Sequence, residues 1–94
     1  AGLTAGDKLD LFSEAFVYLE KADQIFKSRN ETQSVFYAKN IDYIGVVFRK
    51  KGQLDRALEY YSKSQSIYES LGLQITTSYA VLLMHIGLAY EYKG

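Results

Sequence analysis

The sequence predicts an all-α protein. Three observations carry that expectation: the chain has no proline, its apolar residues recur at helical spacing, and the pattern repeats after 42 residues. Proline ends or kinks a helix, because its ring removes a backbone donor and clashes with the preceding turn. Glycine supplies the punctuation instead. Gly52, Gly72 and Gly94 fall where an apolar pattern stops.

The repeat is legible residue by residue. A shift of 42 positions aligns Ala15 with Ala57, Tyr18 with Tyr60, Lys21 with Lys63 and Ile25 with Ile67. The same shift aligns Tyr37 with Tyr79, Ala38 with Ala80, Ile44 with Ile86, Gly45 with Gly87 and Gly52 with Gly94. Conservative pairs fill the gaps: Phe26 with Tyr68, Ile41 with Leu83 and Phe48 with Tyr90. Periodicity of this kind marks stacked supersecondary units that bury a continuous core.

Within one unit, Tyr37, Ile41, Ile44 and Phe48 are spaced for one helix face, and Tyr79, Leu83, Ile86 and Tyr90 repeat the spacing. Leu54, Ala57, Leu58, Tyr61, Ile67 and Tyr68 mark the other helix of the pair. Four helices are therefore expected, at 7–28, 31–50, 54–71 and 74–93, each about 27–33 Å long at 1.5 Å per residue. Asn30 followed by Gln33 reads as a capping box opening the second helix. Gly52 and Gly72 suit the left-handed residue that closes the second and third. Such short connections make successive helices antiparallel hairpins.

Composition narrows the function. Eleven acidic residues balance eleven basic ones, which removes the positive excess of a nucleic-acid module. An apolar fraction of 48% suits a globular core, and no segment reads as a membrane span. Without cysteine there is neither a disulfide frame nor a thiolate metal site, which fits a cytoplasmic protein. The opening residues, Ala1 to Gly6, lack the basic and apolar regions of a signal peptide.

Ile41-x-x-Ile44-Gly45-x-x-Phe48, followed by Gly52, Ala57 and Tyr61, resembles the tetratricopeptide signature W-x-x-L-G-x-x-Y…A-x-x-x-F. A second copy begins at Leu83-x-x-Ile86-Gly87-x-x-Tyr90, and Ala15 and Leu19 represent an earlier one. The resemblance covers nearly all of 1–94 as a single repeat domain: half a repeat over 7–28, a full one over 31–71 and half of another over 74–94. It implies antiparallel helix hairpins stacked as a right-handed superhelix of about four helices. It also implies a non-enzymatic scaffold that binds a protein or peptide and is part of a larger regulatory or adaptor protein. The alternative is a peptide- or ligand-sensing arm of a bacterial transcription or signalling regulator. The unit is 42 residues rather than 34, and the closing proline is missing. Such long units are similar to those of bacterial peptide-sensing regulators, maltose-type activators, kinesin light chains and Pins-like scaffolds.

In that family the first helix of each pair lines a concave groove. The groove positions here are Lys39, Asp42, Tyr43, Val46 and Arg49 on one helix, and Val81, Met84, His85, Leu88 and Glu91 on the other. Lys39 matches one position of the family's carboxylate clamp, but Tyr43, Val46 and His85 stand where its other polar residues are needed. Clamping of a peptide C-terminus is therefore not expected.

Other chemistry is thin. His85, the only histidine, has no nucleophile arranged with it, so no catalytic residue is assigned. Arg49-Lys50-Lys51 is accounted for by the dipole at a helix C-terminus, and Asp7, Asp10 and Glu14 by the opposite end. No cofactor or metal is expected. The nine tyrosines and five phenylalanines recur at core spacing, which favours packing over base stacking. The last helix is apolar on more than one face through Val81, Leu82, Leu83, Met84, Ile86, Leu88 and Ala89. A homodimer that hides Leu82 and its neighbours is one expected consequence.

Overall fold

Four helices form where the apolar periodicity places them: α1 (Ala5–Ser28), α2 (Val35–Lys50), α3 (Leu54–Ser70) and α4 (Thr77–Lys93). The computed structural model describes residues 5–93, with side chains from Leu11 onward. Among the described residues there is no strand. Gly94 and the side chains of Asp7 and Asp10 lie outside the described residues.

The contacts fix the directions of the helices. Along α1 and α2, Phe26 meets Tyr37 while Phe16 meets Phe48, so the pair is antiparallel. Across α2 and α3, Ser70 reaches Gln33 and Ser64 reaches Ala38, again antiparallel. Tyr68 packs on Tyr79 and Lys93 reaches Asp55, which sets α4 antiparallel to α3. The shortest dimension, 21 Å, corresponds to two layers of helices, each about 10 Å across.

Three of the turns are chemically alike. At the end of α1 the Asn30 amide donates to the Lys27 carbonyl and the Glu31 amide to that of Phe26. Gly52 and Gln53 repeat this with Arg49 and Phe48, and Gly72 and Leu73 with Glu69 and Tyr68. Each is a Schellman closure, in which a left-handed residue turns orphan carbonyls back onto the chain. Asn30, Gly52 and Gly72 carry the required positive φ of 57°, 84° and 71°.

This corrects the expected start of α2. Asn30 closes α1 rather than capping α2, because a short polar side chain tolerates the left-handed region. Ser34 is the cap: its Oγ accepts from the Tyr37 amide at 3.1 Å. Thr76 caps α4 in the same way, accepting from Tyr79 at 3.3 Å. The helices therefore begin at Val35 and Thr77 rather than at 31 and 74.

The core runs through Tyr37, Ile41, Ile44, Phe48, Ala57, Tyr61, Ile67, Tyr68, Tyr79 and Leu82. The repeat persists in three dimensions. Phe26 packs on Tyr37 with ring centroids 5.6 Å apart, and Tyr68 on Tyr79 at 5.7 Å. The polar partners at these tyrosines differ. Tyr37 faces buried Asp23, itself paired with Lys27 at 2.9 Å. Tyr79 accepts from Gln65 and donates to Glu69. Burial, then the Asp23 carboxylate, pushes the Tyr37 phenol up to about 12.

Helix α4 departs from the expected stripe. Tyr79, Leu82 and Ala89 are buried, whereas Leu83 and Tyr90 are 47% and 60% exposed. The sequence copies residue types from α2, but α2 is packed on two sides, by α1 and α3. Among the described residues, helix α4 meets only α3 and one edge of α2. Leu82 is already covered within the chain, so it cannot be what a dimer would hide.

Candidate peptide-binding surface

Helices α2 and α4 lie side by side and parallel, Lys39 and Tyr43 being near Val81 and Asp42 near His85. A shallow cleft of about 220 Å³ between them is lined by Lys39, Asp42, Tyr43, Val81, Tyr68, Thr77 and Ser78. The fold thus brings four of the ten groove positions into one cleft, and His85 joins them through Asp42. Its Nδ1 lies 2.7 Å from the Asp42 carboxylate.

Asp42 is not an open groove residue. It is buried, and it sits beneath the cleft rather than on its rim. Burial, the dominant cause, lifts its carboxyl above the usual aspartate range, while His85 and Arg49 pull it back. His85 stacks on Tyr61, with ring centroids 5.9 Å apart. The Tyr61 hydroxyl and Arg49 Nε are both enclosed without a hydrogen bond of normal geometry. Burial raises the Tyr61 phenol, and the nearby Arg49 charge opposes that rise. Asp42, His85, Tyr61 and Arg49 therefore form a semi-buried polar seam where α2, α3 and α4 meet.

The remaining groove positions fall in different settings. Val46 is half-buried against the core. Arg49 is half-buried at the C-terminal end of α2, where it borders a separate depression with Phe12, Lys50, Gly52, Leu54 and Tyr92. Met84, Leu88 and Glu91 are exposed along α4. A larger depression of about 570 Å³ lies elsewhere, lined by Arg56, Glu59, Tyr60, Ser62, Lys63 and Ser66. All six come from α3, so this is the open flank of one helix, without a second wall to orient a ligand.

Sequence reasoning missed the seam because its members lie on three helices. The Asp42–His85 contact spans 43 residues, one more than the repeat, so the internal alignment pairs Asp42 with Met84 and hides it. Among the described residues no three His, Asp or Glu side chains converge as a metal site. No described helix is long and apolar enough to cross a membrane.

No family model matches the chain, and neither does any curated protein or solved structure at a significant level.

Proposed function

We propose that this chain is a non-enzymatic helical-repeat scaffold of tetratricopeptide type, holding a protein or peptide partner along the channel between α2 and α4. One observation carries the reading. The two parallel helices frame a cleft with a positive rim at Lys39 and apolar walls at Tyr43 and Val81. Such a surface suits an extended or helical segment, which lays apolar side chains into a groove and is oriented by a few polar contacts. Met84, exposed nearby on α4, adds an adaptable apolar contact. The seam of Asp42, His85 and Tyr61 gives the channel a polar floor.

The test is a peptide-display selection on the purified chain, followed by affinities for a Tyr43→Glu, Met84→Glu variant. Both side chains are largely exposed, so these changes leave the core intact, whereas Val46 packs on it and is unsuitable. Selected peptides are expected to bind the variant roughly tenfold or more weakly, as for loss of central apolar anchors. A Ser62→Glu control on the α3 flank should bind them normally. Peptides that bind all three proteins equally would remove the channel from consideration.

A further inference from the structure

The two uncovered faces at the ends of the helix stack are copies of two faces that pack on each other inside it. Helix α2 meets α3 through Ala38, Ile41, Gly45 and Phe48, all buried. At the same positions α4 carries Ala80, Leu83, Gly87 and Tyr90, and all four are exposed. Helix α3 answers α2 with Ala57, Tyr60, Ser64 and Ile67, buried or half-buried. At those positions α1 carries Ala15, Tyr18, Ala22 and Ile25, and of these only Ala22 is even half-buried. The other side of α1, through Phe16, Leu19 and Phe26, is already engaged by the core.

We propose that a second copy of this chain covers these faces: α4 of one copy receives α1 of the next, as α2 receives α3. This inference is independent of the peptide channel, which lies on a different side of α4.

The details of the internal interface transfer well. Gly45 is the close-approach point of α2, where an added Cβ would lie 2.6 Å from the Tyr61 ring and 3.2 Å from the Ala57 carbonyl. Gly87 offers the same seat with nothing within 4 Å, and Ala15 is the small residue that matches Ala57. Phe48 stacks on Tyr60 with centroids 5.4 Å apart. The corresponding pair is Tyr90 with Tyr18, 60% and 70% exposed in the single chain. At the far end, Gln33 and Ile67 border one cleft. Their counterparts are Ile75, 99% exposed, and Ile25, so an apolar pair replaces a mixed one. Two hydrogen bonds are lost: Ser64 donates to the Ala38 carbonyl at 2.7 Å and Ser70 to the Gln33 side chain at 3.0 Å, whereas Ala22 has no hydroxyl and Ile75 no acceptor to replace them.

Because the two faces lie on different helices, the contact is heterologous. Each addition leaves one face of each kind free, so association continues beyond a dimer.

Sedimentation of the wild-type chain from micromolar to near-millimolar concentration is expected to show a mass rising past that of a dimer. Gly87→Leu fills the empty seat, and Ala15→Glu charges the opposing face. Each variant alone should stay monomeric with an unchanged helical spectrum. An equimolar mixture should stop at a dimer, because each variant retains the face that the other has lost. A monomeric wild type, self-association of Ala15→Glu alone, or a mixture that fails to pair would each overturn the proposal.

Discussion

Gly45 and Gly87 occupy the same place in the repeat and opposite surroundings. A Cβ at Gly45 would lie 2.6 Å and 2.8 Å from two carbons of the Tyr61 ring, while one at Gly87 would meet nothing within 4 Å. Tyr61 is fully buried, so its ring has no free volume into which to retreat. Gly45→Ala therefore forces α2 and α3 apart, and overpacking of this kind costs about 1–3 kcal/mol. Gly87→Ala should do the reverse in dilute solution. An exposed mid-helix glycine gains up to about 1 kcal/mol on conversion to alanine. Urea denaturation of the two variants beside wild type decides it, and equal shifts would contradict the close approach at Gly45.

The caps make a second pair of predictions. Ser34 and Thr76 each accept a hydrogen bond from the amide three residues on. Ser34→Ala and Thr76→Ala should each cost about 1 kcal/mol, the usual loss on removing an N-cap side chain. Gln33→Ala, at the residue the sequence offers as a capping-box partner, should cost less than about 0.5 kcal/mol. Asn30, at φ 57°, should tolerate glycine, whereas a β-branched valine there would lose about 1–2 kcal/mol. Thermal melts of the five variants separate these outcomes, and a costly Gln33→Ala whose loss is not matched by Ser70→Ala, the partner of Gln33 across the hairpin, would restore the capping box.

The caps also show how the sequence was legible and how it misled. Asn30-x-x-Gln33 satisfies a local pattern that is absent from the structure, yet the repeat itself held the answer. Asn30 stands 42 residues before Gly72, and Ser34 stands 42 before Thr76. The all-helical architecture, the four helices and the closures at Gly52 and Gly72 follow directly from periodicity and turn chemistry. The exposure of Leu83 and Tyr90 does not, because a repeat copies residue types while burial depends on which neighbours exist. The cleft was partly legible: Lys39, Tyr43 and Val81 line it together, and all three are among the groove positions that the resemblance implies. The seam beneath it was not, since Asp42 reads as a surface carboxylate until its burial against His85 is seen.

Two buried tyrosines should respond oppositely to loss of the hydroxyl. The Tyr79 hydroxyl accepts from Gln65 at 3.2 Å and donates to Glu69 at 3.0 Å. The Tyr61 hydroxyl is enclosed without such a partner. Tyr79→Phe should therefore cost about 1 kcal/mol, the net value of a typical hydrogen bond. Tyr61→Phe removes a desolvated group that recovers little, so its stability should be equal to or above that of wild type. Chemical denaturation is the measurement, and a loss at Tyr61→Phe matching that at Tyr79→Phe would mean the Tyr61 hydroxyl is engaged after all.

The pH dependence of stability should carry the signature of Asp42. Its carboxyl titrates above the usual aspartate value because burial penalises the charged form, with His85 and Arg49 offsetting only part of that. The folded chain thus holds this proton more tightly than the unfolded one. By linkage, the ionised carboxylate lowers stability as pH rises from the ordinary aspartate value through the raised one, and the full deficit persists above it. Asp42→Asn keeps an oxygen facing His85 but cannot ionise. The variant should therefore melt at a higher temperature than wild type near neutral pH. The gap should close as acid protonates Asp42 in both states. Melting curves collected from acid to neutral pH test this. A variant less stable than wild type at neutral pH, with the deficit shrinking in acid, would show that the ion pair with His85 outweighs the burial of the charge.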